Sequence, residues 1–90
     1  MFTNVSERDE PDKTYRCPCC QFKTLYGRGG FEICPVCWWE DDGQDDHDAE
    51  VVRGGPNGSL SLAAARKNFN SFGAADPEFA SRVRRPLEDE

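Results

Sequence analysis

The 90-residue sequence has no hydrophobic run that approaches the length of a membrane-spanning helix, and residues 1–13 lack the apolar stretch of a secretory signal peptide. It also lacks a nucleophile, a base and an orienting group at recognisable spacing, which argues against an enzyme. An odd cysteine count of five without an export signal favours free thiols in a reducing compartment over disulfides. We therefore expect a cytoplasmic, non-enzymatic protein with no membrane contact.

Positive charge is missing from one stretch of the chain. Residues 40–50, here called the acidic loop, hold seven acidic side chains and no lysine or arginine. Since the whole sequence carries 17 acids and 11 bases, the other residues have ten acids against eleven bases and sum to +1. The formal net charge of -6 therefore comes from the acidic loop. We expect this loop to repel phosphate backbones and to attract a basic partner.

Two Cys-Pro-x-Cys turns, residues 17–20 and 34–37, are the strongest chemical signal in the sequence, and thirteen residues separate them. Two residues between cysteines let a tight turn aim both sulfurs at one point, and two facing turns complete a tetrahedral site. We predict that this site holds a structural Zn²⁺, because four protein ligands leave no position for water or substrate. The predicted ligands are Cys17, Cys20, Cys34 and Cys37.

Iron in a rubredoxin-like site is the redox alternative, since it is held by the same pair of turns. Such turns usually place glycine after their second cysteine, whereas this sequence has Gln21 and Trp38 there, which weighs against iron. Alignment of the two turns puts the fifth thiol, Cys19, at the position of Val36. Adjacent cysteines cannot easily point both sulfurs at one ion, so we interpret Cys19 as a small apolar filler.

The pattern around the two turns predicts a small α+β fold. Residues 21–26 and 31–33 are strand-like and flank a glycine-rich turn at 27–30, so they would form a β-hairpin that links the two cysteine turns, as in a zinc ribbon. We predict a flexible lead-in at 1–14, a single zinc-ribbon domain at 15–86 and an acidic tail at 87–90.

Helical periodicity follows the ribbon. Residues 59–72 form the main predicted helix, with Ser61 as N-cap and Gly73 as the C-terminal stop. A shorter second helix is expected to begin at Asp76-Pro77 and to end before Pro86. The residues predicted to form the buried stripe of the main helix are Leu62, Ala65, Phe69 and Phe72.

Trp38 and Trp39 directly follow the last cysteine. Adjacent residues in an extended segment face opposite ways, so one indole is expected in the core and the other at a protein interface. We predict a partner-binding surface made of this aromatic pair and part of the acidic loop. Its members are Trp38, Trp39, Glu40, Asp41, Asp42, Asp45, Asp46 and Asp48.

Nucleic-acid binding is a further alternative, because many zinc ribbons serve it and Arg82, Arg84 and Arg85 form a small basic cluster. Three acidic residues at 88–90 flank this cluster, and the acidic loop adds to the repulsion of phosphates. The sequence therefore favours a protein partner over DNA or RNA.

Several motifs, in order along most of the chain, resemble the small bacterial cysteine-rich proteins named for their Cys-Pro-Cys-Cys motif. Gln21 departs from the pattern, because the family often has glycine there, and this implies a looser first turn. The resemblance implies a metal-binding relative without an assigned activity. The matching segments are Tyr15 through Cys20, Thr24-Leu25, Glu32 through Cys37, Trp39 through Asp42, Gly55-Pro56-Asn57, Ser61-Leu62, and Asn68-Phe69 through Phe72-Gly73.

The function expected from these observations is that of a zinc-binding protein-interaction module. By analogy with other small acidic bacterial proteins, its partner would be a basic bacterial toxin and its role that of an immunity-type inhibitor. A nucleic-acid-associated ribbon and a rubredoxin-like redox carrier are the alternatives.

Overall fold

The structure, a computed structural model, describes residues 14–90. The predicted lead-in at 1–14 lies outside the described residues apart from Thr14. Among residues 14–90, no helix combines the length and the apolar composition needed to cross a bilayer.

The first cysteine turn lies between two short strands. Strands β1 (Tyr15–Arg16) and β2 (Lys23–Leu25) pair antiparallel. Where the strands meet the turn, the Cys17 N–H donates to the Phe22 carbonyl at 2.8 Å. The chain thus reverses within the cysteine turn itself, which forms the closed end of the hairpin.

The second cysteine turn closes in the same way. The Cys34 N–H donates to the Trp39 carbonyl at 2.9 Å, and Ile33 and Glu40 form an isolated antiparallel bridge beyond it. Two antiparallel pairings, each ended by a Cys-Pro-x-Cys turn, therefore make up the β part of the fold.

A two-stranded antiparallel hairpin is confirmed, but the prediction that it links the two turns is wrong. Within residues 14–90, no strand pairing joins 21–26 to 31–33. The Tyr26 N–H donates to Glu32 Oε1 at 2.8 Å, so a side chain takes a backbone donor that pairing across the glycine-rich turn would use. The glycine-rich turn is therefore not part of a strand pairing, so its Arg28 side chain can contact another part of the chain.

The main helix forms where the sequence predicts it. Helix α1 (Leu62–Phe72) begins after Ser61, whose hydroxyl accepts from the Ala64 N–H at 3.0 Å. It ends at Gly73, which has φ 79° and donates its N–H to the Phe69 carbonyl at 2.9 Å. Both caps satisfy backbone groups that a helix terminus leaves without partners.

Two helical predictions need correction. Phe72 is 56 % exposed, because it lies on the last turn of α1, whereas the buried residues of this helix, Leu62 and Ala65, lie at its start. The predicted second helix is a single 3-10 turn, Pro77–Phe79, capped by the Asp76 carboxylate. A Pro and a capping Asp begin a helical turn there, but nothing in the following sequence extends it.

Helix α1 and the segment that follows it contact the two cysteine turns. The Phe22 and Phe69 rings meet edge to face with centroids 6.5 Å apart, which joins the helix to the first turn. After the helix, the Ala75 N–H donates to the Cys37 carbonyl at 2.7 Å and joins the chain to the second turn. The buried apolar core is thus built around the cysteines, with Leu25, Trp39, Leu62 and Ala65 as further members.

The carboxyl-terminal residues contact the domain. The Glu90 carbonyl accepts from the Lys23 N–H at 2.9 Å, and its carboxylate makes two hydrogen bonds of 2.9 Å to Arg84. The segment 87–90, predicted as a separate acidic tail, is therefore attached to the edge of β2.

The left-handed cap of α1 generates a prediction about stability. We expect Gly73→Ala to lower the free energy of unfolding by roughly 1 kcal/mol, because a side chain disfavours a positive φ. A Cβ at Gly73 would meet no atom within 4 Å, so the loss would come from the backbone alone. Urea unfolding of the metal-loaded protein measures it.

Gly55→Ala is the matched control, since its Cβ also meets open space and its φ is outside the left-handed region. This variant should be unchanged or slightly more stable. Equal losses in the two variants would contradict the strain argument.

Candidate metal centre

The two cysteine turns have the same backbone geometry. In the first, the Gln21 N–H donates to the Cys17 carbonyl at 2.8 Å, and in the second the Trp38 N–H donates to the Cys34 carbonyl at 2.7 Å. Gln21 and Trp38 each have φ 72°. A left-handed residue after the second cysteine is therefore a requirement of the turn, although neither position holds glycine.

This equivalence changes two sequence arguments. Gln21 was expected to loosen the first turn, yet its turn matches the second one bond for bond, and its side-chain amide donates to the Pro18 carbonyl at 3.1 Å. The missing glycines also no longer weigh against iron, because Gln21 and Trp38 adopt the conformation that glycine would supply.

The four predicted ligands converge on one point in the protein interior. The Sγ atoms of Cys17, Cys20, Cys34 and Cys37 all lie within 4.8 Å of one another, and none of the four residues is more than 6 % exposed. The Cys17–Cys37 and Cys20–Cys34 sulfur pairs are 3.6 and 3.7 Å apart. A tetrahedral ion with metal–sulfur bonds near 2.3 Å needs sulfur–sulfur edges of about 3.8 Å, so the donor set fits such an ion.

The four thiols shift one another's pKa values in opposite directions. Hydrogen bonds from Cys17, then Cys20 and Cys37, lower the pKa of Cys34 well below its ordinary value, and the Thr24 hydroxyl, 3.0 Å from this sulfur, adds to the effect. The pKa of Cys37 is raised, chiefly by its hydrogen bond with Cys17. Charge thus gathers on part of the cluster, and a metal ion that binds all four sulfurs must displace the remaining protons.

Cys19 lies outside the four-sulfur cluster. It occupies the position equivalent to Val36, and both side chains are buried, at 5 % and 2 % exposure. Its surroundings agree with the interpretation as a small apolar filler, since it belongs to the core built around the cysteines.

The acidic loop is far less anionic in three dimensions than along the chain. Asp41 is fully buried and accepts hydrogen bonds from Arg28 Nε at 2.9 Å and from the Gly29 N–H at 2.7 Å. Arg28 also bonds Asp45 at 2.9 Å, and this contact is the main cause that lowers the pKa of the Asp45 carboxyl. Arg28 therefore holds the loop against the glycine-rich turn.

Two further arginines pair with aspartates of the acidic loop. Arg66 of α1 bonds Asp46 at 2.8 Å, and Arg53 bonds Asp48. Seven acids with three paired arginines leave a local charge of about -4 instead of -7. The sequence does not predict the Arg28–Asp41 and Arg66–Asp46 pairs, because their members lie 13 and 20 positions apart and no local pattern indicates such contacts.

The predicted partner surface divides between the interior and the exterior. Trp39 and Asp41 have no exposed surface, so their assignment to a partner-binding surface is wrong. Trp39 fills the core beside the cysteines, as one indole of the pair was expected to do, and Asp41 anchors Arg28. Asp46 is exposed, and Trp38, Glu40, Asp42, Asp45 and Asp48 are partly exposed.

Trp38 borders a surface groove of about 440 Å³, here called the Trp38 groove. Its apolar lining comes from Ile33, Trp38, Leu60 and Phe79. The sequence predicted an exposed indole but not this groove, because Leu60 and Phe79 reach it from distant parts of the chain.

The basic cluster near the carboxyl end is partly engaged. Arg84 makes its ion pair with Glu90, and Arg82 lies over the Phe79 ring at 5.8 Å from the centroid. Since two of the three guanidinium groups already have partners, this cluster offers little free charge to a phosphate backbone.

Together, the fold and the sulfur cluster define a small α+β protein with a closed four-thiolate site suited to a metal ion. The chain belongs to the cysteine-rich CPCC family, whose family model matches residues 15–90. No curated protein matches it. The family match confirms the resemblance seen in the motifs and does not extend to the identity of the metal, a partner or a source organism.

The separation of Cys19 from the four ligands is testable with a matched pair of variants. We expect Cys34→Ser to lose the bound metal and most of the folded signal, because the site does not exist in the unfolded chain and metal binding stabilises the fold. Cys19→Ser should keep one ion per chain and a native circular dichroism spectrum. Elemental analysis of both purified variants measures the ion, and equal metal loss would make Cys19 a ligand.

The buried Arg28–Asp41 contact yields a second prediction. Asp41→Asn should lower the free energy of unfolding by about 2 kcal/mol, because it removes the charge from a buried acceptor of hydrogen bonds. Asp46→Asn, which affects an aspartate whose side chain is 85 % exposed, should cost well under about 1 kcal/mol. Urea unfolding at neutral pH compares them, and similar costs would show that burial of Asp41 contributes nothing.

Proposed function

We propose that this protein is a zinc-stabilised, non-enzymatic protein-interaction module that binds its partner through the Trp38 groove. The observation that carries the proposal is the conformation of Trp38. A bulky residue at φ 72° is a backbone outlier that costs roughly 1–2 kcal/mol relative to glycine. Strained residues of this kind concentrate at functional sites, where the side chain is needed for something other than stability.

The contrast with Gln21 supports this interpretation. Gln21 has the same φ, but its side chain is used inside its own turn through the bond to Pro18. The Trp38 indole N–H has no acceptor within residues 14–90, and its ring borders the groove. A partner could therefore cover the ring and accept a hydrogen bond from the indole, as interface tryptophans commonly do.

The four buried thiolates support a structural role for the metal. All four coordination positions of a tetrahedral ion would be filled by protein, so no position is left to activate water or to bind a substrate. Zinc is the proposed ion because it binds thiolates tetrahedrally and does not change its redox state.

The partner surface differs from the one that the sequence suggested. The acidic loop was expected to steer a basic partner, but Arg28, Arg53 and Arg66 already pair with its aspartates. Its remaining charge affects mainly the rate of association. A basic bacterial toxin, and with it an immunity-type role, stays a prediction from size and charge, and the family match lends it no support.

A rubredoxin-like redox carrier is the second candidate function. It is favoured by the left-handed residue in each turn and by the Val36 N–H, which lies 3.4 Å from the Cys34 sulfur. Hydrogen bonds to sulfur tune the potential of such a centre. A purified protein that is colourless and holds one equivalent of zinc would exclude this candidate.

Capture of cellular proteins tests the role of the groove. The metal-loaded protein is immobilised, retained proteins are identified, and the affinity of each is then measured. Trp38→Ala should weaken the specific partner by about 30-fold or more, since an interface tryptophan commonly contributes at this level.

Phe31→Ala is the matched control, because Phe31 also has a positive φ of 63°, is 55 % exposed and does not line the groove. It should leave the affinity within about twofold. Loss of affinity in both variants, or in neither, would overturn the proposal that the partner is bound through Trp38.

A further inference from the structure

The Trp38 groove has carboxylates that are not engaged by the protein itself. Glu40 and Glu78 line it, and within residues 14–90 neither makes an ion pair. In the acidic loop, by contrast, Asp41, Asp45 and Asp48 are already bonded to arginines. Two carboxylates without an ion pair therefore lie together at the groove, next to its apolar lining.

The charge of the groove is negative overall. Its lining includes three acids, Glu40, Asp76 and Glu78, against one base, Arg82, which gives a formal charge of 1 − 3 = −2. One Asp76 oxygen accepts from the Glu78 N–H at 2.9 Å, so that carboxylate is partly engaged as a cap. Arg82, the one base of the lining, lies over the Phe79 ring with its guanidinium carbon 5.8 Å from the centroid, a cation–π contact.

On the Glu40 side, the backbone at the groove offers no free strand edge. The Asn57 side chain donates to the Glu40 carbonyl at 2.8 Å and accepts from the Glu40 N–H at 3.2 Å, in the manner of a neighbouring strand. A ligand cannot add to this edge by β-pairing, because both backbone groups of Glu40 already have partners. Recognition on this side of the groove must therefore come from side chains.

We infer, on the basis of the proposed function, that the Trp38 groove binds a segment of a partner protein in which an apolar side chain is flanked by lysine or arginine. The apolar side chain packs between Trp38, Leu60 and Phe79. The flanking bases pair with Glu40 and Glu78. This assigns the basic partner to the groove, to which the acidic loop contributes Glu40, and leaves the rest of that loop as a scaffold.

Short capped peptides test the inference on the metal-loaded full chain. The probe contains leucine flanked by two arginines; the comparison peptides replace either both arginines with glutamate or the leucine with alanine. The protein has two tryptophans, so its ¹⁵N-correlation spectrum contains two indole signals, which Trp38→Phe assigns. The arginine–leucine peptide should shift the Trp38 signal and leave that of the buried Trp39 unchanged.

Charge variants provide the second readout. Combined Glu40→Gln and Glu78→Gln should weaken the arginine–leucine peptide by roughly five- to tenfold and flatten its salt dependence, as expected for two exposed ion pairs. Asp46→Asn, which removes an exposed acid outside the groove, is the matched control and should leave the affinity unchanged.

Several outcomes would overturn the inference. These are equal binding of the glutamate and arginine peptides, an unchanged affinity in the double variant, and a Trp38 shift that depends on protein concentration without peptide and so reports self-association. The inference also fails if no peptide moves the Trp38 signal while a captured protein still depends on Trp38, and in that case the proposed function stands. If neither peptides nor captured proteins depend on Trp38, both are wrong.

Discussion

The convergence of four sulfurs on one point is the constraint on which the rest of the structure depends. Each Cys-Pro-x-Cys turn closes its own short antiparallel pairing, and these pairings are too small to persist alone. Helix α1 and the segment after it are attached to the two turns, through Phe22 on one side and the Cys37 carbonyl on the other. A chain of this size buries a limited core, so a metal bound by both turns would supply stability that hydrophobic packing lacks.

A second set of contacts fixes the loops around this centre. Arg28 extends from the glycine-rich turn to Asp41, Asp45 and the Gln44 carbonyl, while Arg66 connects α1 to Asp46 and to the Pro18 carbonyl of the first cysteine turn. The acidic loop is thus held by bases from two different segments. Its high density of aspartate is best explained by this internal role, because most of the carboxylates already have partners.

The sequence predicts the parts of this protein that depend on local chemistry. Cysteine spacing identifies the four sulfurs that meet, and alignment of the turns separates Cys19 from them. Ser61 and Gly73 mark the ends of α1 correctly because capping is decided by adjacent residues. Contacts between residues distant in sequence are harder to predict. The exposure of Phe72, the burial of Asp41 and the choice of strand partners all depend on such contacts.

The error about glycine has a physical reason. The sequence has no glycine after Cys20 or Cys37, yet the backbone bonds of each turn impose a positive φ on the residue that is there. The residue type determines the free-energy cost of a positive φ, and the surrounding tertiary structure compensates for that cost. The charge of the acidic loop is overestimated from sequence for a related reason. Arg28 and Arg66 are remote in sequence from the carboxylates they neutralise.

Trp38 directly follows Cys37, one of the four clustered cysteines, and so links the candidate metal site to the Trp38 groove. The backbone N–H of Trp38 donates a hydrogen bond to the Cys34 carbonyl, so the orientation of the indole depends on the structure of the second cysteine turn. Two ligands that stabilise the same conformation strengthen each other by the same free energy. A partner held by Trp38 would therefore raise the affinity for the metal, and loss of the metal would weaken the binding of the partner, so the amount of complex would depend on the availability of the ion.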